Sequence, residues 1–313
     1  MASALVVGDR GSGLTTFVGL LYAAQLRLGT EEGDEFRFSA ERETILQLEE
    51  VYGELVAGRF PEWDADWEAH PLSFVFGFRS GKFGRFVGGS IGSESGFDAF
   101  RVQVGGISVE TISELAEHDA ILEETTRRLL RSSVILPLVD ASRLWPPMEG
   151  RTVQPLARYD QMLATTFELV SQFLAAEHHR RFRTLHPLFV VTKFDQCPET
   201  TRAELLAPLG PPSAWSLEQR GTVGGKILER YFPATTQFFV KPKPKRSTTI
   251  ASPLWFFSSL QLVPGSGGPD RIARRSRVPL GGWEPEYPFE EYRVLIEHLG
   301  YLAHRLPGWE ERP

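Results

Sequence analysis

What this chain has little of narrows the field first. A single cysteine, Cys197, in 313 residues excludes an internal disulfide and suits a reducing compartment. No apolar run approaches the roughly 18 residues needed to cross a bilayer. The apolar stretch at residues 5–8 is too short for a secretion signal, and Asp9 and Arg10 follow it at once. Basic residues are not in excess: 34 Lys and Arg stand against 40 Asp and Glu, a net charge of −6, which argues against a specific nucleic-acid binder. No internal repeat is visible, and spacing alone offers no Ser-His-Asp or paired-carboxylate arrangement. The run His178-His179-Arg180-Arg181 has no carboxylate or cysteine partner at ligand spacing and suits a helix end better than a metal. These absences predict a cytoplasmic protein with no transmembrane segment.

What is present describes a soluble globular chain, 42% hydrophobic and 24% charged. Strand and helix patterns alternate, which points to a βα-type fold. Strands are predicted at residues 4–7, 72–78, 99–104, 133–139, 187–195 and 254–258. Helices are predicted at 15–28, 40–57, 120–131, 159–182, 217–231 and 288–304, each with apolar residues at helical spacing. Residues 77–106 contain nine glycines, so close backbone approach is expected there. Two stretches, near 30–70 and 207–252, read as insertions into one domain. The second ends in a basic, polyproline-like loop from Lys241 to Arg246. Trp63, Trp67, Trp145, Trp215 and Trp283 fall in connectors, either as core plugs or as part of a protein-binding surface.

The chemistry begins directly after the first strand. Gly8-Asp9-Arg10-Gly11-Ser12-Gly13-Leu14-Thr15-Thr16 has the Gly-x-x-x-x-Gly spacing of a phosphate-binding loop. Such a loop turns backbone N–H groups inward around a phosphate, at the positive end of the following helix. Thr15 keeps the hydroxyl that ligates Mg²⁺ in such loops, but Leu14 stands where the phosphate-bridging lysine belongs. Losing one charge-assisted hydrogen bond costs roughly 1.5–3 kcal/mol, which weakens phosphate binding about ten- to a hundredfold without abolishing it. Lys82 or Arg10 could supply the missing charge. Taken alone, the spacing also fits an ordinary strand-to-helix glycine turn.

A second motif lies some 180 residues downstream. Thr192-Lys193-Phe194-Asp195 closes an apolar strand and resembles the [N/T]-K-x-D motif of Ras-like and translation-factor-related P-loop GTPases. In that family the aspartate accepts from the guanine ring N–H and exocyclic amine while the lysine stem lies along the base. The bland alternative for Asp195 is an N-cap on a helix near 198–206. Further on, Ser258-Ser259-Leu260 resembles the loop whose amides support the guanine carbonyl. The order of these segments is similar to that of a GTPase domain across nearly the whole chain. Gly58-Arg59-Phe60-Pro61-Glu62 also resembles a feature of the bacterial double-GTPase group. The resemblance implies a three-layer α/β domain, a mostly parallel sheet with one antiparallel hairpin strand. It also implies GTP or GDP as ligand, with or without Mg²⁺.

Departures from the family concern hydrolysis. Its D-x-x-G segment should fall on Val102-Gln103-Val104-Gly105-Gly106, where neither possible position holds an aspartate. The water-orienting glutamine is replaced by Gly106 or Ile107. With the lysine also gone, the expectation is a guanine-nucleotide switch or pseudo-GTPase, at most a slow enzyme, acting through protein partners. The Lys241 to Arg246 loop offers a peripheral contact to an acidic surface. The alternative from another class is a nucleotide-free scaffold of the same fold.

Overall fold

The computed structural model describes residues 2–9, 11–61, 72–79, 97–104, 132–145, 156–176, 184–206, 209–241, 249–264, 270–276 and 282–305. The helix expected at 120–131, together with Arg10, Lys82, Trp63, Trp67, residues 105–107, 178–181 and 242–246, lies outside the described residues.

Eight strands form one sheet. They are β1 (Ala2–Val7), β2 (Phe36–Ala40), β3 (Leu72–Arg79), β4 (Phe97–Val104), β5 (Val134–Asp140), β6 (Thr184–Thr192), β7 (Thr249–Ile250) and β8 (Leu254–Phe257). Their order is β2-β3-β4-β1-β5-β6-β7, with β8 also paired to β6. β3 runs antiparallel to both its neighbours, and every other pairing is parallel. The fold is therefore α/β with a mostly parallel sheet and one antiparallel hairpin strand, as the sequence predicts.

The strands are apolar on both faces because helices cover both. Along β1, Ala4 and Val6 face one core while Leu5 and Val7 face the other, and β5 divides Leu136 and Leu138 from Ile135 and Val139 in the same way. One outer layer holds α1 (Leu14–Glu32), α2 (Arg42–Val56) and the C-terminal helix α8 (Phe289–Arg305). The opposite layer holds α4 (Leu156–Ala176), α6 (Leu217–Tyr231) and α7 (Pro233–Val240), while α3 (Ala141–Leu144) and α5 (Glu199–Leu206) are short connectors. Three layers result. The small pairs β9 (Leu262–Val263) with β10 (Arg271–Ile272) and β11 (Arg274–Ser276) with β12 (Trp283–Pro285) stand apart from the sheet.

Local chemistry places most boundaries. α6 begins with a capping box in which Ser216 and Gln219 satisfy each other's backbone N–H groups. Beyond the short β7, β9 to β12 and α3, two longer elements escaped the sequence pattern. β2 lies within the expected insertion near 30–70 and extends the sheet as an edge strand, with Phe36 and Phe38 packing on Phe74, Phe76 and Phe78. α7 begins at Pro233, directly after α6. The helix expected to reach residue 182 is described as far as Ala176. Trp145 and Trp215 are buried core plugs, whereas Trp283 is 55% exposed.

Two features of this architecture position a site. β1 lies at the centre of the sheet between β4 and β5, and the chain leaves β1 towards β2 on one side but leaves its neighbour β5 towards β6 on the other. The crevice beyond the carboxyl end of such a strand is where open α/β sheets bind ligands. The β5–β6 register pairs Asp140 with Thr192, so the carboxyl ends of β1, β5, β6 and β8 meet there.

Candidate functional site

The loop after β1 turns sharply into α1. Gly11 and Gly13 take left-handed backbone (φ 83° and 82°), which other residues adopt only with strain, and Gly13 lies in contact with Thr192. Ser12 N–H donates to the Asp9 carbonyl, and Phe17 N–H donates to the Gly13 carbonyl to start the helix. Ser12 is buried and Gly11 exposed.

Leu14 does not face the crevice. Only 3% exposed, it belongs to the α1–α8 core with Phe17, Val18 and Leu21. Thr15 is buried at 6% exposure, and Thr16 lines the crevice. Asp9 is fully buried and paired with Arg143 of α3 at 2.5 Å, and the Arg143 guanidinium lies over the Tyr159 ring. Beneath the loop, then, sits an ion pair that sequence spacing did not suggest.

The Thr192-Lys193-Phe194-Asp195 segment is tied to this loop. Thr192 Oγ1 donates to the Ser12 carbonyl, and Lys193 Nζ donates to the Gly11 carbonyl at 2.6 Å. Lys193 is the one described non-glycine residue with left-handed backbone (φ 52°), which throws its side chain back over the glycines. The same ammonium reaches Asp140 Oδ2 at 2.6 Å. Asp140 in turn caps α3 through Ser142 N–H. Lys193 is thus already committed to two oxygens, which the sequence did not foretell. The signal was faint but present, since a charged residue directly after an apolar strand lies at the same edge of a parallel sheet as the next strand's end.

Asp195 does not take the helix-cap role offered as its bland alternative. Its Oδ1 accepts the Leu260 N–H at 3.1 Å, across 65 residues of chain. Burial holds its carboxyl above the ordinary carboxylate value, opposed by hydrogen bonds from the Leu260 and Asp195 amides and by the nearby charges of Arg202 and Lys193. The Phe194 N–H donates to Ser258 O, and Ser258 N–H donates to Val191 O, so the segments after β6 and β8 are fastened together. Ser258 Oγ also lies 2.5 Å from the buried hydroxyl of Tyr292 on α8.

Between these pieces lies a partly open crevice. Gly13, Thr16, Phe17 and Leu20 form one side, Thr192, Lys193, Asp195 and Gln196 another, and Ser258, Ser259 and Leu260 a third. Phe60, which the sequence marked only within the Gly58-Arg59-Phe60-Pro61-Glu62 resemblance, lines the crevice as well. The fold thereby brings Gly13, Thr16 and all six residues assigned to base recognition to one cavity. Leu14 points elsewhere.

Cys197 is no nucleophile here, since burial pushes its thiol up to about 11. Among the described residues no group of three or more His, Cys, Asp or Glu side chains could hold a metal, and no helix is long and apolar enough to cross a membrane. Comparison with protein-family models and with the curated proteins finds no match.

Proposed function

We propose that the chain binds a guanine nucleotide in this crevice and acts through protein partners as a switch or pseudo-GTPase with slow or absent hydrolysis. The observation that carries this reading is the placement of Asp195. Its carboxylate lines the crevice, steadied by the Leu260 amide, while Thr192 and Lys193 of the same segment grip the glycine loop. A guanine edge offers two adjacent N–H donors to a carboxylate, and adenine offers no such pair. Ionised Asp195 is held uncomfortably in its buried position, and those donors would relieve it. The central place of β1 in the sheet supports the same crevice for the phosphates.

Turnover is the weaker half. Leu14 is buried in the core rather than available to a phosphate, and Lys193 is held by Asp140 and Gly11. Gln103, one of the two positions for the magnesium-organising aspartate, lies on β4, and Val102, the other, is fully buried beside β1. Mg²⁺ arriving with the phosphates would take the Thr15 hydroxyl as its protein ligand and keep waters elsewhere in its shell. A reducing cytoplasm suits Cys197, and the loop from Lys241 to Arg246 suits an acidic peripheral surface.

One observation favours a second reading, a scaffold that binds no nucleotide: the burial of Leu14 closes off the position from which a phosphate is ordinarily held. Calorimetric titration with GTP, GDP and ATP, with and without Mg²⁺, separates the two. Guanine-selective binding that is lost in Asp195→Ala is the expected result. No heat and no thermal shift with any nucleotide would overturn the proposal in favour of the scaffold.

A further inference from the structure

Phe60 is 48% exposed, and an isolated exposed aromatic needs no explanation by itself. Its position and its support do. The ring lines the same cavity as Asp195, Lys193 and Leu260, yet it comes from the turn after α2, an element with no other residue on that cavity.

That turn is braced from several directions. Gly58 closes α2 in left-handed backbone (φ 82°), with its N–H donating to Leu55 O and the Arg59 N–H donating to Glu54 O. A side chain at Gly58 would come within 3.4 Å of the Ile272 carbonyl. The Arg59 guanidinium grips Glu54 through two bonds of 2.6 and 2.7 Å. From the other side, Ile272 N–H donates to Gly58 O at 3.1 Å, and the Arg274 guanidinium donates to Val56 O at 3.2 Å. β10 and β11 are thus fastened to the end of α2. The result is a half-exposed aromatic ring whose backbone is held in place at the mouth of a cavity, while nearby Phe17 and Tyr292 are buried against each other.

We infer that Phe60 is the stacking face for the purine ring of the nucleotide, the wall that contributes affinity without choosing the base. This rests on the guanine-nucleotide reading above. The two roles separate by chemistry. Asp195 reads donors on the edge of the base and so discriminates, whereas an aromatic face accepts any flat base. Removing a stacking ring weakens binding roughly five- to a hundredfold.

The test is calorimetric titration of the intact chain and its Phe60→Ala, Phe60→Leu, Phe60→Trp and Asp195→Ala variants with GDP and with inosine diphosphate, which lacks the exocyclic amine. Thermal melting of each variant runs alongside. The inference expects Phe60→Ala to melt with the parent and to lose roughly five- to a hundredfold affinity for both diphosphates in equal proportion. Phe60→Leu should bind as poorly as Phe60→Ala, and Phe60→Trp should bind as well as the parent. Asp195→Ala should instead narrow the preference for GDP over inosine diphosphate. If the parent binds GDP and Phe60→Ala or Phe60→Leu binds it equally well, the stacking role is overturned while the nucleotide reading stands. If the parent binds neither diphosphate, the nucleotide reading itself has failed and takes this inference with it.

Discussion

The two sides of the crevice each rest on a buried arginine–carboxylate pair, and the pairs are supported differently. Beneath the base side, Arg220 grips Glu291 through two bonds of 2.6 and 2.7 Å and also donates to the carbonyls of Trp255 and Pro212. Glu291 Oε1 accepts the Phe257 N–H in turn, so α6, β8 and α8 are joined just before Ser258. Arg220 Nε and the buried Trp255 Nε1 are left without a partner among the described residues. Beneath the phosphate side, Arg143 pairs with Asp9, yet Arg143 Nη1 and the buried Ser12 hydroxyl find no partner among the described residues. A buried polar atom without a partner costs about 1–3 kcal/mol. Unpartnered polar atoms thus occur on both sides, and what separates them is the bonding of the two arginines. Arg220 ties Glu291, Trp255 and Pro212 together through four hydrogen bonds, whereas Arg143 pairs with Asp9, so the base wall is the more heavily cross-linked structure. This matches the division in function proposed above, in which base recognition is retained and phosphate chemistry is reduced.

The sharpest way to break that comparison is to remove one arginine from each side. Arg220→Met strands Glu291 in the core and should lower unfolding free energy by about 3–5 kcal/mol in chemical denaturation. Arg143→Met should cost clearly less, because fewer bonds depend on it, and an equal loss would show the two foundations to be equivalent. Next in size is ligand affinity. Asp195→Ala should reduce GDP binding about ten- to a hundredfold in calorimetry, since it removes charge-assisted hydrogen bonds to the base.

Leu14→Lys probes the other side. Moving the side chain out of the core should cost roughly 1.5–3 kcal/mol of stability, while GDP affinity rises about tenfold relative to guanosine. Destabilisation without any gain in affinity would mean that the loop cannot present a phosphate site at all. The smallest effect is on pH. A carboxyl held above its ordinary value binds its proton more tightly in the folded chain. Its contribution to apo stability is therefore present at low pH and lost as pH rises through the raised value. Nucleotide donors need the ionised form, so GDP affinity should fall as pH drops from neutrality towards that value, by less than about tenfold per unit. Titration at several pH values should show this slope in the parent and none in Asp195→Ala.

Much of this was legible in the sequence, for local reasons. Apolar runs such as residues 133–139 and 187–192 are too short for buried helices and too apolar for exposed strands, so a parallel sheet covered on both faces follows. The three sides of the cavity also announced themselves, because glycines at 11 and 13 and the Thr192–Asp195 motif carry their chemistry in consecutive residues. The Gly58–Glu62 resemblance did not mark Phe60 as a residue of the cavity, and β2 was hidden by its place inside an apparent insertion. Asp140 and Lys193 gave only the faint sign that each follows an apolar strand at the same sheet edge.

The sequence by itself determined the alternation of strands and helices, the left-handed turns that need Gly11 and Gly13, and the absence of a lysine at position 14. Each depends on neighbours within a few residues. Tertiary structure alone decided that Leu14 faces the core, that Lys193 bridges Gly11 and Asp140, that Asp195 meets Leu260, and that Phe60 stands at the cavity. Those contacts join segments 53, 65 or 182 residues apart, or more. Which charge meets which is set by strand register and helix docking, and neither is encoded in any single stretch of chain.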